Sequence, residues 1–434
     1  MLLFTENAVP YRAALYRQID TTTTDLTVVI LDTSGLTKQF DPEMNTTYKW
    51  DGPMFDGLRV IIASPEFTES DGKIHGVPGY KMSNNPLRWV SKYCSVFTRS
   101  FSFAAIKTLF DVEHDIVMLE NYGTFACFVI AFISKVRGKP VILRSEAYHH
   151  PYRKKTIILL KAVYLRLFYS FCRIIIYCCD KSHDYFISTG CPACKLKYLP
   201  SAVDGSYFQK KRKDLEGKRQ SIRESIGVTD NNSVIFITTG RLSRRKRNLE
   251  LLKSFQHANA KNSHLVIVGD GVELENLQKY CIQNNLTNVF FTGFKSQSEI
   301  CNYYYASDIY TLFSDYDPSP KSVSEALEFG LPVIISKTIG NAPELCQKNG
   351  FLVDPTNVTE TAGKLALLAQ DAELRTMMGR HSLLLASKYS IIKNGKIIET
   401  IANNLKYDTK ITKCSTHSCS PKGDQSHREE QPTC

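Results

Sequence analysis

Short apolar runs, each closed by a loop and followed by a helical pattern, constrain the fold of this chain more than anything else in it. Residues 26–31 (LTVVIL), 57–64 (GLRVIIAS), 116–119 and 140–143 are such runs in the first half. Residues 233–239 (SVIFITT), 264–268 (HLVIV) and 288–292 (NVFFT) repeat the pattern in the second. Runs this short, with no polar alternation, belong to strands covered on both faces. Between them, residues 125–135 read as an apolar helix and 249–255 (LELLKSF) as an amphipathic one. Strands alternating with helices imply α/β architecture with parallel sheets. A length of 434 residues makes two domains the natural expectation.

Composition narrows the partners. The net charge is +11, which favours an anion: a nucleotide, a phospholipid surface, an anionic glycan or nucleic acid. No zinc-finger spacing or glycine-aromatic RNA motif accompanies it, so no nucleic acid is expected; steep salt dependence would mark such a binder. Thirteen cysteines are scattered, and Glu6 interrupts the opening apolar run. That combination reads as a cytoplasmic protein with free thiols and no secretory signal. Cys191 and Cys194 have CxxC spacing without a second pair or a nearby histidine, so no metal is assigned.

The most informative loop and helix lie in 317–336, DPSPKSVSEALEFGLPVIIS. Ser319 reads as the N-cap, Pro320 as the first helical residue and Gly330 as the stop. A helix start collects unpaired N–H groups and partial positive charge. Lys321, Ser322 and Val323 supply the first of those groups. Asp317 before the helix and Glu325 inside it flank that anion seat. An anion beside two hydroxyl-seeking carboxylates suits a sugar nucleotide.

Other strand ends add candidates, because loops at the carboxyl ends of parallel strands form ligand crevices. Gly240 and Arg241 end one strand, with Lys246 five residues beyond Arg241. Gly269 and Gly271 end the next, and Phe294 follows the third. In the first half, Arg12, Arg144, Glu146 and His149 are candidate acceptor-side groups.

The ordered set resembles the donor site of retaining glycosyltransferases of the GT-B type, family 4. The motifs are Gly-Arg-Leu with Lys246, then Gly269 to Gly271, then an acid separated from Glu325 by seven residues, then Ala-x-x-x-Gly-x-Pro-Val-Ile. The resemblance implies two Rossmann-like domains facing across a cleft. It also implies that Arg241 and Lys246 stabilise the leaving diphosphate, Glu325 binds the ribose and Asp317 orients the sugar. Phe294 and its neighbours line the base in that family. No cofactor is implied; a UDP- or GDP-linked sugar is a substrate, and a glycan or lipid-linked molecule is the acceptor. The sequence departs from the family with Asp317 where Glu is usual, and with Pro320 and Lys321 where Gly-Leu is common. An epimerase of the same fold and a non-catalytic nucleotide-sugar-binding protein are the alternatives.

The expected divisions are 1–202 for the acceptor side, 203–386 for the donor side, 387–405 as a helix crossing back, and 406–434 as a disordered tail. Residues 197–208 resemble the family's passage between domains, and 210–219 (KKRKDLEGKR) read as a solvated connector. Residues 153–179 form a cationic amphipathic stretch with Lys154, Lys155, Lys161, Arg166 and Arg173 on one arc. Leu160, Val163, Tyr164, Leu167 and Phe168 lie opposite. It reads either as a core helix with a wet basic edge or as a peripheral attachment to an anionic bilayer.

Overall fold

The computed structural model describes residues 1–7, 9–19, 24–32, 39–41, 46–48, 55–63, 103–149 and 155–415. The side chains of 7, 39–41, 46–48, 155–160 and 408–415 are excepted. Lys154 and residues 416–434 of the expected tail fall outside these.

The apolar runs are strands of two parallel sheets. The first contains β1 (Leu2–Asn7), β2 (Thr27–Asp32), β5 (Arg59–Ile62), β6 (Val117–Leu119), β7 (Val141–Arg144), β8 (Cys172–Tyr177) and β9 (Leu196–Tyr198), in the order β5-β2-β1-β6-β7-β8-β9. A short antiparallel pair, β3 (Gln39–Asp41) and β4 (Thr46–Tyr48), stands apart from it. The second contains β10 (Val234–Thr239), β11 (Ser263–Val268), β12 (Val289–Phe291), β13 (Ile309–Leu312), β14 (Val333–Ser336) and β15 (Gly350–Val353), in the order β12-β11-β10-β13-β14-β15. Central strands such as β7 and β10 are buried along their whole length. Helices therefore cover both faces, and each sheet carries a core on either side.

Three segments differ from the sequence reading. The 153–179 stretch is not one helix. Its helix, Lys155–Phe171, stops where the β-branched run Ile174, Ile175, Ile176 enters β8, and Arg173 lies on that strand. Leu165, Phe168 and Tyr169 are buried, whereas Val163 and Leu167 are 62% and 50% exposed. Lys161 leaves the basic edge and places its ammonium over the rings of Tyr122 and Tyr185. The charged connector is not a free linker either. Asp204 accepts from the Tyr207 N–H and starts the helix Gly205–Asp214, which Phe208 anchors in the second domain. The polar tail begins in a helix, since Ile391–Ser415 runs past Lys406.

That last helix lies on the first domain. Ile391, Ile398, Ala402 and Leu405 join the core formed by Leu3, Ala13 and Val28. Asn394 donates to the Pro200 carbonyl at 2.8 Å. Lys406 pairs with Asp115 at 3.1 Å.

Candidate active site

The carboxyl ends of the second sheet's strands open into a crevice of about 650 Å³. Arg241, Lys246, Asp317 and Glu325 all line it. Gly240, Gly269, Phe294, Lys321 and Ser322 line it too. The opposite wall comes from the first domain through Pro10, Tyr11 and Arg17.

Local backbone chemistry places each group. After β10, a single 3-10 turn, Arg244–Lys246, directs the Lys246 side chain inward. Its ammonium meets the Asp317 carboxylate at 2.7 Å, with both side chains largely shielded from water. The helix Lys321–Glu328 begins one residue later than the sequence suggests, with Pro320 in the cap position and no side-chain cap. Ser319 is not free to cap it. Its hydroxyl accepts from Asn341 Nδ2 at 3.2 Å and from Lys321 Nζ at 3.4 Å. Val323 points wholly into the core, so only its N–H is available to a ligand.

Glu325 reaches the crevice from the next turn. The buried Tyr304 hydroxyl donates to its Oε2 at 2.9 Å. Burial pushes the Glu325 carboxyl up to about 7, against the opposing pull of Tyr304 and Lys321. Tyr310 donates to Ser322 Oγ at 2.7 Å and fixes the first turn.

Gly269 brings two strand-end loops together. A Cβ there would lie 1.9 Å from the Gly240 carbonyl oxygen, and its φ is +145°. Gly271 packs the same way against the Leu242 backbone and is not part of the wall.

The acceptor-side candidates sit differently. Arg144 meets Glu120 at 2.7 Å and Glu146 at 3.8 Å, and Arg12 lies 3.9 Å from Glu120 and donates to Thr5. Glu146 takes Lys321 Nζ at 2.8 Å across the domain boundary. Burial alone would raise the Glu146 carboxyl, but Lys321 and Arg144 outweigh it and hold it below its ordinary value. These residues thus form one ionic bridge behind the crevice. His149 stacks edge-on against Tyr185 and shares a hydrogen bond with Ser188 Oγ at 2.9 Å, on the exposed side.

Sequence reasoning passed over Tyr11, Arg17 and Arg245, which line the crevice. Tyr11 was within reach of notice, being next to Arg12; its ring lies under the Lys321 ammonium at 4.9 Å. Arg245 is an exposed residue and donates to the Tyr316 carbonyl at 3.2 Å. Among the described residues, no three His, Cys, Asp or Glu side chains converge as a metal site.

Two Rossmann-like domains facing across such a crevice define the GT-B class of fold. Residues 219–382 match the family model described as "Glycosyl transferases group 1". One relative is the sulfoquinovosyl transferase SQD2 of Arabidopsis thaliana, 29% identical over 211 residues, covering 48% of this chain and 39% of that one. Another is the UDP-Gal:alpha-D-GlcNAc-diphosphoundecaprenol alpha-1,3-galactosyltransferase of Escherichia coli, 28% identical over 209 residues, 46% of this chain and 51% of that one. The chain thus spans about half or less of the length of these curated relatives. Among solved structures, Anabaena Alr3699/HepE in complex with UDP and glucose superposes with a TM-score of 0.66 at 18% identity, over 93% of this chain and 99% of that one. WaaG, a glycosyltransferase involved in lipopolysaccharide biosynthesis, superposes with a TM-score of 0.62 at 14% identity, over 92% of this chain and 99% of that one. At these identities the structural likeness speaks for the fold.

Proposed function

We propose that this chain is a retaining glycosyltransferase that moves a sugar from a UDP- or GDP-linked donor to a glycan or lipid-linked acceptor. One observation carries the reading: two cations and two acids from separate strand ends line a single crevice between two Rossmann-like domains. The family match to the second domain and the nucleotide and sugar in the HepE complex support it.

Breaking the sugar–phosphate bond leaves added negative charge on the nucleotide. Arg241 and Lys246, fixed at one strand end, stabilise that charge more in the transition state than in the ground state. The incoming diphosphate competes with Asp317 for the Lys246 ammonium. Asp317 is thereby released to a hydroxyl of the transferred sugar. Glu325 accepts from the ribose hydroxyls. The leaving charge is met by side chains, so the proposed chemistry needs no metal, and no residue acts as a covalent nucleophile.

The test is a thermal-shift panel of UDP, GDP, ADP and their sugars, followed by donor turnover with glycan and lipid acceptors. Lys246→Ala is expected to cut turnover about 10²–10³-fold, the range for losing one preorganised charge-stabilising group. Its stability should fall by only about 1–3 kcal/mol. Asp317→Asn should act in the same direction. Unchanged turnover in both variants sinks these roles, and donor consumption without an acceptor points to an epimerase instead.

We infer that the acceptor side works at a membrane face. No described helix is long and apolar enough to cross a membrane. The helices Phe103–Asp111, Phe125–Val136 and Lys155–Phe171 pack into one core layer of the first sheet. Outward they expose Phe110, Phe132, Val163 and Leu167 beside Lys107, Lys135 and Arg166. Apolar and cationic groups mixed in this way suit an anionic bilayer. Co-sedimentation with phosphatidylglycerol vesicles but not phosphatidylcholine vesicles is the expected result; equal recovery without either excludes it.

A further inference from the structure

The donor loop that carries Asp317 is held by the first domain as well as by its own. Tyr148 follows β7 in the first domain and is 7% exposed. Its ring stacks on Tyr316 of the second domain, with centroids 4.6 Å apart and planes 9° from parallel. Its hydroxyl accepts the backbone N–H of Asp317 at 3.1 Å and donates to the Thr338 carbonyl at 3.1 Å. Lys181, from the first-domain helix Asp180–Ser188, donates to the carbonyls on either side: Lys337 at 2.7 Å and Ile339 at 2.8 Å. Three successive carbonyls of one turn are thus read by two first-domain side chains.

That turn backs the donor loop. The Gly340 N–H donates to the Asp317 carbonyl at 2.8 Å, and Thr338 Oγ1 donates to the Ser314 carbonyl at 2.7 Å. Gly340 lies so close that a Cβ there would meet the Pro318 carbonyl oxygen at 2.2 Å. The loop is therefore wedged between Tyr148 on one side and the 337–340 turn on the other. A shift of this turn moves Asp317 with it, and with Asp317 the partner of Lys246.

We propose that Tyr148, supported by Lys181, is a positioning residue that sets the Asp317 loop when the two domains are together. The proposal rests on the glycosyltransferase reading for its kinetic consequence, though not for its structural one. Transfer geometry then depends on domain closure. Nucleotide binding, built by Arg241 and Glu325 within the second domain alone, does not.

Tyr148→Phe keeps the stacked ring and removes both hydrogen bonds. In the full-length chain, deuterium uptake of peptides covering 314–322 and 336–341 should quicken about three- to tenfold, the range spanned by one net hydrogen bond. Peptides of β11 should be unchanged. With a turned-over donor, kcat should fall by a similar factor while KM for the donor stays within about twofold. Lys181→Met should accelerate exchange in 336–341 more than in 314–322. Unchanged exchange in both peptides of Tyr148→Phe overturns the proposal. Faster exchange with an unchanged kcat overturns its kinetic part. If the wild-type chain consumes no nucleotide sugar, the functional reading fails and the exchange data still decide the clasp.

Discussion

Lys246 and Asp317 are 71 positions apart in the chain and share one ion pair at 2.7 Å. Spacing of motifs along a strand order announced that both belong to strand-end loops. It did not announce that they pair with each other. Glu325 likewise was legible as a carboxylate inside a helix, but its environment was not. Tyr304, which donates to it, lies 21 positions earlier on a helix whose face reads as ordinary packing. That environment makes a pH prediction. Because burial raises the folded carboxyl to about 7 from its ordinary value of 4.5, the folded chain keeps a proton that the unfolded chain releases. Stability is therefore lost as pH rises through the interval between those values, and the full cost stays above pH 7. Glu325→Gln removes the cost. It should match wild type near pH 4 and exceed it near pH 8 by on the order of 2 kcal/mol, after allowance for screening by crevice water. Urea midpoints at the two pH values check this; equal differences at both would exclude the buried-carboxyl account.

Elements were most readable where one physical signal acted alone. β10 and β11 each carry a run of four apolar residues, and their ends fall where the glycines stand. The stretch 153–179 reads as one element because no proline or glycine separates the helix Lys155–Phe171 from β8. Charge on residues 210–219 likewise hid the helix Gly205–Asp214, whose one buried side chain is Phe208. At the strand-end loops the glycines are there for contact. Gly269→Ala forces a Cβ against the Gly240 oxygen at a φ of +145°, which should cost more than about 2 kcal/mol and separate the loops bearing Arg241 and Phe294. Gly363 is the comparison. It lies in the helix Val358–Gln370 with nothing within 4 Å of a built Cβ, so Gly363→Ala should gain roughly 0.5–1 kcal/mol. Denaturant midpoints moving in opposite directions meet the expectation. A neutral Gly269→Ala would mean that the loops are not pressed together.

At the scale of the whole chain, local patterns run out, because nothing in a helix's own periodicity names the domain it will cover. Residues 391–405 follow the second domain in sequence, and only the family resemblance suggested a return. Their apolar side chains lie against β1 and β2 of the first domain. Gly395 is wedged there, since a Cβ would sit 2.5 Å from the Gln18 carbonyl oxygen. The first domain's core is thus completed by the last part of the described chain, and its stability depends on residues that follow the second domain in sequence. Ile398 is fully buried in that core. Ile398→Ala removes three methyl or methylene groups there and should cost about 2–5 kcal/mol. The loss should fall on the first domain: amides of β1 and β2 should lose protection against deuterium exchange, while those of β10 and β11 keep theirs. UDP affinity, governed by the second domain in the proposed reading, should change little at a temperature where both domains remain folded. Loss of protection confined to β10 and β11 would place this helix with the wrong domain and undo the account of how the crevice is closed.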